Sequence, residues 1–140
     1  MDERTLVLNQ LAQGHRPFPE GMAWFEGQTE EEQARTLRAL GLFCRQAHAT
    51  REEAAEAIRL SGLRPTCTPC VLLARGDVDR QVSTIGGLRP RHERLRAFRL
   101  LVHLLAVADA RRRERHCADG CGHEWHHLPP RPDAAPQEAR

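Results

Sequence analysis

Apolar residues recur along most of this chain every three or four positions, the period of a helix buried on one side. Leu6, Leu8, Leu11 and Ala12, with Val7 among them, predict a helix from about Asp2 to Gln13, closed by Gly14. After a connector at His15–Pro19, Glu20–Glu26 predicts a short helix whose Met22, Trp24 and Phe25 plug the core. Thr29 followed by Glu32 has the form of a capping box, in which each residue satisfies a backbone N–H near the other. It opens a helix through Ala34, Leu37, Leu40 and Cys44 to about His48. Thr50 and Glu53 repeat the signal for a helix through Ala54, Ala57 and Ile58, closed by Gly62.

Leu63–Pro65 reads as a hinge. Thr68 is the expected N-cap of the next helix, with Pro69 at a first position that needs no N–H. Val71, Leu72 and Leu73 follow, and Gly76 stops it. Asp77 opens a weaker helix through Val78, Val82 and Ile85. The longest element runs from Pro90 to about Arg115. Its stripe of Leu95, Phe98, Leu101, Val102 and Leu105 is widened almost all round by Leu100, Leu104 and Val107. A helix apolar on most sides is a central one. Glu52, Glu53 and Glu56 read as a charged helix face and not as a paired general acid and base. No stretch alternates as a strand does. The fold class expected is all-α: a compact bundle of about six or seven helices with a C-terminal Cys/His metal-binding segment and a disordered tail. Residues 1–128 form one domain in this reading, and the Pro-rich stretch 129–140 is the tail.

Composition changes this picture little. The net charge of +2 over 140 residues does not by itself call for nucleic acid. All 21 Lys and Arg residues are Arg, which suggests coding bias more than physical demand. The charged start lacks a secretory pattern, and Leu100–Ala108 is too short to span a bilayer, so a cytoplasmic protein without a membrane partner is expected. Its five cysteines are then reduced thiols, metal ligands or redox groups.

The chemistry gathers at the end of the long helix. Cys117, Cys121, His123, His126 and His127 fall within one short stretch, with His116 just before it. Thiolates and imidazoles in fours suit zinc, with copper the less favoured alternative. Gly120 and Gly122 allow the backbone to turn tightly. Upstream, Cys67 and Cys70 offer a second pair of thiols. As ligands they would complete a closed cage with Cys117 and Cys121, the arrangement preferred. As a dithiol they would be a redox pair, although no surrounding strand–helix pattern supports that. In the other metal arrangement Cys117 and Cys121 bind with only one histidine, the fourth position stays open for water, and Glu124 becomes a candidate catalytic proton carrier or an orienter of an imidazole. Cys44 and His103 read as core residues, with His103 a lesser candidate ligand.

Several runs carry a likeness to a known family. They are Leu8–Gly14, Ala23–Gly27, Gly62–Thr66 and Ala106–Arg115, together with Cys117–His126. Over Leu6–Leu128 the chain resembles an uncharacterised family of small proteins from high-GC filamentous soil bacteria. That resemblance implies a family and no catalytic residue. The function expected is a small zinc-binding protein whose metal pins the C-terminal segment for recognition of a protein partner or a small molecule. The alternatives are a metalloenzyme with an open metal position and a nucleic-acid regulator using Arg111–Arg115.

Overall fold

The computed structural model describes residues 2–118. Seven helices follow one another: α1 (Glu3–Gln13), α2 (Phe18–Glu26), α3 (Glu30–Gln46), α4 (Arg51–Ser61), α5 (Thr68–Leu73), α6 (Val78–Gly86) and α7 (Arg91–Ala118). No strand occurs among the described residues.

The helix starts follow from local chemistry. Asp2 caps α1 by accepting from the Thr5 N–H at 2.8 Å. Thr29 and Glu32 form a full capping box on α3, and Thr50 and Glu53 form another on α4. Gly14 and Gly62 end α1 and α4 with φ of 77° and 76°, a left-handed backbone that glycine adopts without a Cβ clash.

Two starts differ from the sequence expectation. Helix α2 begins at Phe18, with Pro17 as N-cap and Pro19 in its first turn. Both prolines sit where a missing N–H leaves no hydrogen bond unmade, so the connector before α2 is shorter than its composition suggested. At α5 the N-cap is Cys67 and not Thr68.

Helix α7 is the centre of the molecule, and each of the other six helices packs on it. Its Ala97, Phe98, Leu100, Leu101, Leu104 and Ala108 are wholly buried. Burial on nearly every side matches the near-continuous apolar pattern. Pairings set the directions. Gln33 meets Arg94 and Cys44 meets Leu101, so α3 and α7 run parallel. Ser61 meets Arg99 and Glu56 meets Arg111, so α4 and α7 run antiparallel. Helix α6 lies antiparallel on α3. There Gly86 approaches the Leu37 backbone and Gly41 approaches Val82, so a Cβ on Gly86 would stand 3.3 Å from the Leu37 carbonyl oxygen.

Phe25 and Phe98 stack at the heart of the core, ring centroids 4.3 Å apart. Trp24 and Leu95, expected in the core, are only partly buried at its margin. On the charged face of α4, Glu52 is exposed, whereas Glu53 is buried and its carboxylate accepts from the Thr50 N–H at 2.9 Å. No described helix is long and apolar enough to cross a membrane.

Candidate functional site

Of the residues picked out for chemistry, the structure brings Cys67 and Cys70 together. Cys67 is the N-cap of α5 and Cys70 lies three residues on, in the first turn. The relation is the one that makes Thr29 and Glu32 face each other on α3. Both thiols are free, Cys67 half-buried and Cys70 buried. Burial pushes the Cys70 thiol up to about 12, and its hydrogen bond with the Cys67 side chain adds to the rise. Beside the pair, Thr68 hydrogen-bonds the buried carboxylate of Glu93, and Arg96 reaches the same carboxylate at 3.1 Å. Burial alone would raise the Glu93 pKa, but these partners outweigh it and hold the carboxyl below its ordinary value. The sequence reading missed Glu93. An acid in the first turn of the longest helix was the available signal.

The position of Glu93 also locates the thiol pair. It lies in the first turn of α7, whereas position 117 lies in the last, because the helix runs three residues beyond the expected end at Arg115. At a rise of about 1.5 Å per residue, about 36 Å of helix separates the two. Cys67 and Cys70 therefore lie by the first turn of α7, and the side chain of Cys117, like Cys121 beyond it, lies outside what the structure describes. Cys121, His123, Glu124, His126 and His127 lie outside the described residues. Among the described residues no group of three or more His, Cys, Asp and Glu side chains is placed to hold a metal ion.

The remaining candidates have structural partners. Cys44 is fully buried and its Sγ lies 3.5 Å from the Leu101 carbonyl, which it meets as a donor. Desolvation pushes that thiol far up, so it stays protonated. His103 is bonded through Nδ1 to the Arg99 carbonyl at 2.7 Å, and its ring packs on Phe18 at 5.2 Å. Burial is the main reason its pKa falls below 6.5. In the Arg-rich end of α7, Arg111 pairs with Glu56 and Arg113 lies 3.5 Å from Asp109. Charges matched within the protein contribute little to a nucleic-acid surface. A shallow groove of about 450 Å³ lies between His48–Arg51 and Gly76–Asp79, and Asp77 within it serves as the cap of α6.

One buried polar group has no counterpart in the sequence reading. Arg94, almost fully buried, donates through Nε to Gln33 Oε1 at 2.7 Å and through its guanidinium to the Arg89 carbonyl. Gln33 passes the chain on, donating through Nε2 to the Phe25 carbonyl at 2.9 Å.

No curated protein and no solved structure matches the chain. A family model does match, over residues 3–128, which takes in all seven helices and the Cys/His stretch. The chain belongs to a family of unknown function, DUF5958.

Proposed function

We propose that this is a zinc-binding helical protein in which Cys117, Cys121, His123 and His126 hold the ion. The ion would pin the segment after α7, and the pinned segment would serve as a recognition surface for a protein partner. The observation that carries the reading is the density of thiols and imidazoles between Cys117 and His127, beginning on the last turn of the central helix. Zinc takes four such ligands, at about 2.3 Å from sulfur and about 2.0–2.1 Å from nitrogen.

The length of α7 supports a local ligand set. With Cys67 and Cys70 at the far end of the bundle, the two remaining ligands come from the nearby histidines. Glu124, between His123 and His126, would orient one imidazole by accepting its second N–H. The thiols would stay reduced in the cytoplasm, where we place the protein.

Elemental analysis of protein prepared under reducing conditions with zinc tests the reading. About one zinc per chain is expected, as for a single closed tetrahedral site. Metal-free protein would overturn it, and so would protein that takes up only copper.

A further inference from the structure

The thiol pair at α5 is left over by the metal site and has a chemistry of its own. Three observations bear on it. First, Cys67 and Cys70 occupy the N-cap and third positions of one helix start, where side chains face each other, and their thiols are hydrogen-bonded. Second, the pair is asymmetric: Cys67 is half-buried, while Cys70 is 1% exposed. Third, Cys67 is approachable, since Arg64, Pro65, Thr66 and Thr68 around it are all exposed.

We propose that Cys67 and Cys70 form a thiol–disulfide exchange site, in which Cys67 attacks a small-molecule disulfide and Cys70 resolves the mixed disulfide. In the first step the Cys67 thiolate bonds to one sulfur of the disulfide RS–SR. The S–S bond breaks, and RS⁻ leaves and takes up a proton. In the second step Cys70 gives up its proton to water and its sulfur attacks Cys67 Sγ. The second RS⁻ leaves and is protonated. Two thiols of the protein are oxidised to one disulfide, and one RSSR is reduced to two RSH. The order of attack follows from access, because exchange requires the attacking sulfur to reach the disulfide in line. Burial of Cys70 protects it from the first step and leaves it for the second. Its high pKa makes that second step the slow one, since only the thiolate attacks.

The proposal is independent of zinc at the C-terminal segment. The test uses the full chain carrying Cys117→Ser and Cys121→Ser, so that those thiols take no part. The probe is oxidised glutathione, with the products read by mass spectrometry after quenching in acid and alkylation. A glutathione adduct on Cys67 should appear first and give way to a Cys67–Cys70 disulfide. Its decay should speed up about tenfold per pH unit between pH 7 and 9, as the Cys70 thiolate fraction does. In Cys70→Ala the adduct should persist; Cys70→Val, which fills the same apolar site, serves if the alanine protein does not fold. In Cys67→Ser, Cys70 should stay unmodified. Failure to form the Cys67–Cys70 disulfide overturns the proposal, as does first modification at Cys70 or a pH-independent decay.

Discussion

Arg94 and Gln33, 61 positions apart in sequence, are joined by a 2.7 Å hydrogen bond inside the bundle. It is a buried charge held by neutral groups, for among the described residues no carboxylate lies within ion-pair distance of Arg94. Gln33 is the relay, accepting from Arg94 and donating to the last turn of α2. Replacing Gln33 with Leu takes the Nε partner from a buried cation, which keeps only the Arg89 carbonyl, and one of the donors from the Phe25 carbonyl, which keeps the Gln28 N–H. The expected loss is about 1–3 kcal/mol, toward the high end because the donor is charged. Adding Arg94→Met should recover much of that loss, because removing both partners is milder than removing one. Urea unfolding of the two single variants and the double variant measures the coupling. Additive losses would show that the bond does not tie α3 to α7.

Phe98 is in stacking contact with both Phe25 and Phe18, at 4.3 and 6.3 Å between ring centroids. Phe98→Ala should cost about 3–5 kcal/mol, with a shifted urea midpoint at nearly constant slope. Leu95→Ala, on the partly buried margin of the same helix, should cost distinctly less. Equal losses would contradict the arrangement described for α7.

His103 should make stability depend on pH. Its folded pKa lies below 6.5, first because the ring is buried and also because Arg99 stands beside it. The unfolded chain therefore takes up a proton that the folded chain resists. This contribution to stability is complete above about pH 6.5. It declines as the pH falls from there to the lower folded value, and is constant below it. Thermal unfolding at pH 7.5 and 5.5 should show a smaller difference for His103→Phe than for the parent protein. An unchanged difference would mean that His103 titrates alike in both states.

Gly86 tests how tightly α6 lies on α3. In an exposed helix, Gly→Ala stabilises by up to about 1 kcal/mol. Here the new methyl meets the Leu37 carbonyl oxygen at 3.3 Å, and backbone in a packed helix yields little. Gly86→Ala should therefore lower the melting temperature. A rise would show that the two helices separate easily.

The two thiol pairs can be separated by zinc content. Cys117→Ser with Cys121→Ser should empty the site and lower the melting temperature, since metal binding is coupled to folding. Cys67→Ser with Cys70→Ser should leave the zinc in place. Loss of zinc from the second variant would mean that the end of α7 unwinds to bring all four thiols together.

Local chemistry made the helices legible before any packing was known. Thr29–Glu32 and Thr50–Glu53 are capping boxes by sequence and in the structure, because a capping box involves only four consecutive residues. The near-continuous apolar run of α7 announced a central helix for the same reason: a residue's preference for the interior belongs to that residue alone. What the sequence left open depends on partners distant in the chain. Glu53 and Glu52 are adjacent and chemically alike, yet only Glu53 is buried, because α4 turns that face toward α7. Arg94 looks like any surface arginine until α3 supplies Gln33. The pairing of Cys67 with Cys70 is local and could be read from spacing, but their place beside the first turn of α7 could not. Spacing along the chain measures only what the chain can reach, whereas the packing of α5 on α7 decides at which end of the 28-residue helix the pair sits.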